Sequence, residues 1–292
     1  MMLQGAITAI VTPFDEKGNI DEKALRKLVN FQIENSISGI VPCGTTGESP
    51  TLTYEEHNQV IDIVIDEVRG RVPVIAGTGS NSTDEAILLT RHALQAGAHS
   101  SLQVAPYYNK PTQKGLYEHF IAIAEAVDLP MILYNIPGRT GINIETDTLL
   151  RMAEHKNIIG VKEASGSIPQ MMDVLSRRPE GFSVLCGDDN LTLPLMVLGG
   201  DGVISVASNI VPRQVSDMVQ RALKGKWDDA REYHYLLLPL LKALFLETNP
   251  IPIKTALAML GMVKEVFRSP LCTMDPKNRE KLKVVLENQK IL

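Results

Sequence analysis

Cysteine is scarce. Cys43, Cys186 and Cys272 are the only three in 292 residues, an odd number set far apart. Such a set builds no disulfide framework and fits reduced thiols in a cytoplasmic protein. Long apolar runs are also missing. No stretch approaches the roughly 18 residues that a membrane helix needs, so no membrane partner is expected. The opening Met1-Met2-Leu3-Gln4-Gly5 has neither a charged leader nor a cleavage site, and no secretory signal is read there. Basic clusters are absent. With 29 basic against 34 acidic residues and a net charge of −5, nucleic acid is not the expected partner. Metal-ligand spacing is lacking as well. His57, His92, His99, His119, His155 and His234 lie apart, and neither His-x-x-x-His nor Cys-x-x-Cys occurs. His92, His119 and His155 fall in helix patterns and read as structural. No Walker-type phosphate loop occurs. Gly77-Thr78-Gly79-Ser80-Asn81-Ser82 lacks the third glycine of a dinucleotide fingerprint.

What the chain does contain is apolar sequence, at 44%, enough to bury a large core. It is arranged in a persistent alternation of short β-rich runs and longer amphipathic ones. The pattern predicts strands at 6–11, 39–43, 73–77, 101–105, 130–134, 158–162, 183–187 and 202–206. Helices are predicted between them at 21–35, 53–68, 82–96, 113–126, 145–154, 169–176, 190–198 and 211–223. Thr53 and Glu56 form the capping box of the second helix, and Gly97 terminates the third. No hairpin signal interrupts the series. Strands separated by helices pair in parallel, and eight such units in about 220 residues predict a closed (β/α)8 TIM barrel. A doubly wound open sheet is the second choice. Past Leu223 the period changes to helical runs at 228–246, 253–260 and 275–288. The expected division is a barrel over 1–224 that carries the active site, and a C-terminal helical domain over 225–292. No flexible linker separates them.

In a parallel barrel, function sits on the loops that follow the strands. The sixth strand reads Ile158-Ile159-Gly160-Val161-Lys162-Glu163. Strand alternation puts Ile158, Gly160 and Lys162 on one face and Ile159, Val161 and Glu163 on the other. A lysine in a dry pocket loses hydration, and its amine becomes able to attack a ketone and form a Schiff base. An ordinary surface lysine just past a strand is the competing reading of this stretch. Tyr134 ends the fifth strand and shares a face with Ile132, so Tyr134 and Lys162 fall at the tops of adjacent strands. A phenol there can relay protons. Arg139 follows in Asn135-Ile136-Pro137-Gly138-Arg139 and offers a fork suited to a carboxylate. Gly44-Thr45-Thr46-Gly47-Glu48 ends the second strand with two hydroxyls and backbone donors. Tyr107 and Tyr108 stand paired in the fourth loop, where a core does not need them. Gly187 and the Gly202–Ser205 run permit close backbone approach.

These motifs resemble the pyruvate-dependent class I aldolases, and within them the dihydrodipicolinate synthase family. The resemblance covers nearly the whole chain. It rests on residues 9–14, 44–49 and 77–79, on Pro106-Tyr107-Tyr108-Asn109-Lys110-Pro111, and on 134–141. Lys162-Glu163-Ala164, Gly187-Asp188-Asp189 and Asn249-Pro250-Ile251-Pro252 complete it. It implies a Schiff-base lyase that condenses pyruvate with L-aspartate 4-semialdehyde in lysine and diaminopimelate biosynthesis. Lys162 resembles the Schiff-base residue and Tyr134 the proton-relay phenol. Thr46 would link Tyr134 to Tyr108, which in the family reaches in from a neighbouring subunit. Arg139 resembles the residue that binds the semialdehyde carboxylate. Thr45, Thr46, Gly187 and Ile204 would surround pyruvate. No external cofactor is implied, because the covalent pyruvate imine on Lys162 is the electrophile.

The usual assembly of the family is a homotetramer, a dimer of dimers. Ser49, His57, Asn81, Glu85 and Tyr107 match an allosteric L-lysine pocket. Pro50 stands where alanine is frequent and Tyr54 where histidine is frequent. Two other readings remain open at this point. One is N-acetylneuraminate lyase or a 2-keto-3-deoxy sugar-acid aldolase. The other is a non-catalytic regulator that binds pyruvate or lysine.

Overall fold

The computed structural model describes residues 3–292. Eight parallel strands alternate with helices, as the residue pattern predicts. In chain order these are β1 (Gly5–Ala9), α1 (Glu22–Glu34), β2 (Gly39–Val41), α2 (Tyr54–Val68), β3 (Ile75–Gly77), α3 (Thr83–Ala96), β4 (Ser100–Val104), α4 (Gln113–Ala126) and β5 (Met131–Asn135). Then follow α5 (Pro137–Thr140), α6 (Thr146–Met152), β6 (Ile158–Glu163), α7 (Ile168–Arg177), β7 (Ser183–Cys186), α8 (Thr192–Val197), β8 (Gly202–Ser205) and α9 (Pro212–Leu223).

Sheet order runs β2-β1-β8-β7-β6-β5-β4-β3. A parallel bridge between Ile40 and Val74 closes the circle, and Gly77 N donates to Pro42 O at 2.9 Å beside it. The result is a (β/α)8 barrel. Its interior is one apolar stack that includes Ile7, Val41, Ile75, Leu102, Ile132, Leu185 and Ile204. A second, larger core lies between strands and helices. Because both strand faces are buried, the strands read as continuous apolar runs rather than alternating ones.

Local signals set the helix ends. The Thr53–Glu56 capping box is formed at the start of α2, and Gly97 closes α3 in the left-handed conformation. The β2 strand stops at Val41, earlier than expected, because Cys43 has φ +55° and leaves the extended region. His155 lies past the end of α6, in the turn that follows it, rather than on a helix.

The face assignment at the start of β6 is corrected by a register shift. Met131 pairs with Ile158 but Ile132 pairs with Gly160, so Ile159 is the extra residue of a bulge. Ile158 therefore joins the outer core, while Ile159 packs against the barrel interior. Past the bulge the alternation resumes, and Lys162 stands inward opposite Tyr134. Gly160 makes room for the neighbouring strand: a Cβ there would lie 2.6 Å from Ser183 O of β7.

Beyond the barrel, α10 (Trp227–Ala243), α11 (Ile251–Met259) and α12 (Pro276–Asn288) pack over its side. Ala230, Leu237, Ile253, Leu257, Leu282 and Leu286 merge with the outer core. No described helix is long and apolar enough to cross a membrane.

Candidate active site

Lys162, Tyr134, Thr46 and Arg139 lie at the C-terminal ends of the strands, while Tyr108 does not join them. Lys162 is 5% exposed. Its Nζ lies 4.1 Å from the centroid of the Tyr134 ring, and the two residues are register partners on β6 and β5. Among the described residues no carboxylate forms an ion pair with this amine. The other deeply buried lysine, Lys254, is the contrast: its Nζ is ion-paired with Glu48 and also donates to Val266 O at 2.8 Å.

Gly187 keeps the lysine stem where it is. A Cβ there would come 2.7 Å from the Ala164 Cβ and 3.1 Å from both Cγ and Cε of Lys162. Ile204 lies on β8 among the interior stack. The turn after it is fixed by Asp189, whose carboxylate accepts from Val206 N at 2.9 Å and Ala207 N at 3.1 Å. Burial pushes the Asp189 carboxyl above the usual range, and those hydrogen bonds and the Lys162 charge oppose the shift. Glu163, on the outer face of β6, accepts from Ser165 N at 2.6 Å and from Asn135 Nδ2 at 3.2 Å. It too is pushed up by burial.

Thr46 is buried, and its Oγ1 accepts from Asn249 Nδ2 at 3.0 Å. Among the described residues no hydrogen bond joins Thr46 to either Tyr134 or Tyr108. Tyr108 is 90% exposed on its loop with φ +70°, whereas Lys162 is buried. Arg139, on the short α5, donates from Nη2 to the Asn249 carbonyl at 3.0 Å. Thr45, Tyr134 and Arg139 line a cavity of about 640 Å³.

Ser49, Pro50, Tyr54, His57, Glu85 and Tyr107 line the same cavity. The Glu85 charge raises the Tyr54 phenol pKa; burial, then Glu85, raises that of Tyr107. His57 donates from Nε2 to Gly77 O at 2.8 Å, and burial lowers its pKa. Asn81 is not in the wall; its Nδ2 instead donates to Tyr107 O at 3.2 Å.

Sequence reading alone overlooked four residues that shape this region. Ser80 donates to Glu85 at 2.6 Å. Asp189 braces β8, and Lys254 holds Glu48. Asn249 touches both Thr46 and Arg139. Each sat in a quoted motif or helix run, but only spatial proximity reveals its partner. Among the described residues no group of three or more His, Cys, Asp or Glu is placed to hold a metal ion.

A barrel with a buried lysine and a phenol at the strand ends defines a class: the (β/α)8 enzymes whose site is built on the loops after the strands. The match to a family model narrows it. Residues 2–289 match the dihydrodipicolinate synthetase family, and the chain belongs to that family of enzymes. A curated relative from Syntrophus aciditrophicus, named 4-hydroxy-tetrahydrodipicolinate synthase, is 58% identical over 98% of both chains. The dihydrodipicolinate synthase of Acinetobacter baumannii, solved in complex with pyruvate, superposes with a TM-score of 0.98. It is 46% identical and covers 99% of this chain and 100% of its own. The enzyme of Cyanidioschyzon merolae, solved with lysine bound, has a TM-score of 0.97 at 42% identity, over 99% of both chains.

Proposed function

We propose that this chain condenses pyruvate with L-aspartate 4-semialdehyde through a Schiff base on Lys162, giving 4-hydroxy-tetrahydrodipicolinate for lysine and diaminopimelate biosynthesis. The observation that carries the proposal is the Lys162 amine, buried against Tyr134 with no carboxylate partner among the described residues, while Lys254 is ion-paired. An amine free of an ion pair is available as a nucleophile. The names of the relatives and the pyruvate complex of the Acinetobacter enzyme support the same substrates.

The chemistry balances without an external cofactor. The Lys162 nitrogen adds to the pyruvate ketone, and the carbinolamine loses water to leave a cationic imine. A methyl proton departs as the imine takes up the electron pair, giving an enamine. The enamine carbon bonds to the aldehyde carbon, whose oxygen is protonated. The amino group of the semialdehyde then attacks the imine carbon and releases Lys162 as the ring closes. Tyr134 is assigned the proton transfers at the carbinolamine. Thr46 is assigned the link from Tyr134 to a second phenol, the Tyr108 of a neighbouring subunit. Its exposure here suits a residue lent to a partner. Arg139 holds the semialdehyde carboxylate. Thr45, Thr46 and the backbone near Gly187 and Ile204 surround pyruvate.

The same reading gives a dimer of dimers located in the cytoplasm. It divides the chain into a catalytic barrel over 1–224 and a helical domain over 225–292. The part of the cavity around Glu85 binds L-lysine as an inhibitor, in line with the lysine-bound neighbour. Tyr54 and Pro50 alter its potency. Glu85→Gln is expected to remove inhibition by millimolar L-lysine while leaving uninhibited turnover in place. Unchanged inhibition in that variant, or none in the wild type, rejects the assignment.

Borohydride reduction in the presence of pyruvate, followed by peptide mass spectrometry, tests the central step. The expected result is one adduct at Lys162, with Lys162→Ala folded but neither labelled nor active. An adduct elsewhere, or none, overturns the proposal.

A further inference from the structure

We infer that Asn249 is a positioning residue that sets the direction of the Thr46 hydroxyl. The inference rests on the proposed role of Thr46 in proton transfer. Asn249 enters the barrel mouth from the segment just before α11, yet it lies only 5% exposed. Its two halves do separate work. The side chain donates from Nδ2 to Thr46 Oγ1 at 3.0 Å, and the main-chain carbonyl accepts from Arg139 Nη2 at 3.0 Å. Its Oδ1 is buried and has no hydrogen-bond partner among the described residues.

A hydroxyl has one hydrogen and two lone pairs. An amide NH2 only donates, so it occupies one lone pair of Thr46 and cannot take the hydroxyl hydrogen. That hydrogen and the second lone pair remain for the two phenols that the proposed relay assigns to Thr46. A relay needs this arrangement, because its middle hydroxyl must accept from one neighbour and donate to the other. The bond is buried, so water does not readily replace it. Substitution of the side chain leaves the carbonyl that holds Arg139, so proton transfer and carboxylate binding can be separated.

The experiment uses the full-length enzyme and two readouts: steady-state turnover, and exchange of pyruvate methyl hydrogens with deuterated water, which needs no semialdehyde. Asn249→Ala is expected to lower both kcat and methyl exchange about fivefold to tenfold, the rate equivalent of one buried hydrogen bond. The KM for each substrate should stay within about twofold, because a side-chain relay bond stabilises neither ground state. Borohydride labelling of Lys162 at saturating pyruvate should be unchanged. On a Thr46→Val background, Asn249→Ala should cause no further loss of exchange, since the hydroxyl it orients is gone.

Unchanged kcat and exchange, a rise in KM alone, or an undiminished loss on the Thr46→Val background each overturns the inference. If the alanine variant does not fold, Asn249→Asp serves: its carboxylate accepts but cannot donate, so methyl exchange must fall, and wild-type exchange in that variant rejects the role. Failure of the catalytic reading looks different, because the wild-type enzyme then gives no pyruvate adduct at Lys162 at all.

Discussion

The ion pair between Glu48 and Lys254 offers a direct test of how the C-terminal helices support the site. Both side chains are fully buried. Glu48 sits in the Gly44–Ser49 loop with φ +55°, a conformation that non-glycine residues avoid. Its second oxygen accepts from Arg268 N at 3.2 Å. Lys254 Nζ lies 4.3 Å from the centroid of the Phe14 ring, and Arg268 covers the same ring at 4.4 Å. Arg268 in turn is bidentate to Glu56, at 2.5 and 2.6 Å.

Lys254→Met keeps the length and apolar stem but leaves a buried carboxylate with one backbone donor. The expected cost is about 3–5 kcal/mol. At roughly 2–4 °C per kcal/mol for a chain of this order, the melting temperature should fall by about 6–20 °C. Glu48→Gln should cost less, about 1–3 kcal/mol, because its amide oxygen still accepts from the ammonium. The decisive variant is the double one. With both charges removed no ion is stranded, so Glu48→Gln with Lys254→Met should be more stable than Lys254→Met alone. Urea denaturation, with midpoint and slope compared at one protein concentration, measures all three. An unchanged midpoint for Lys254→Met, or a double variant whose loss equals the sum of the singles, refutes the argument.

Two further predictions follow from single contacts. Burial lowers the His119 pKa to about 4, from 6.5. The folded state therefore binds fewer protons than the unfolded chain between those values, and stability present above pH 6.5 is lost as pH falls toward 4. The loss attributable to this residue is about 3 kcal/mol. Urea titrations of wild type and His119→Phe across pH 4–7 should differ in slope, and parallel curves contradict the linkage. Gly187→Ala should push the Lys162 stem aside, since a Cβ there meets Ala164 at 2.7 Å and Lys162 at 3.1 Å. A shift of about 1 Å at a reacting group costs on the order of 100-fold in kcat, to be read in steady-state assays, whereas wild-type turnover would show that the site yields freely.

The order of elements was legible in the chain because each helix and strand carries its own period and caps. Thr53 with Glu56 and Gly97 mark helix ends by chemistry that acts within four residues. The eightfold alternation then leaves few ways to bury both strand faces, and barrel closure follows. Lys162 and Tyr134 could be paired in advance because both lie next to the C-terminal ends of their strands, which form the mouth. Tertiary structure alone decided the rest. The bulge at Ile159 reversed the face of Ile158, since strand twist and closure set register and local sequence does not. Asn249 lies 203 residues from Thr46 along the chain, and Lys254 lies 206 from Glu48. No local periodicity encodes contacts of that range. They arise only when the C-terminal helices dock, because burial there favours pairing of the polar groups it takes out of water.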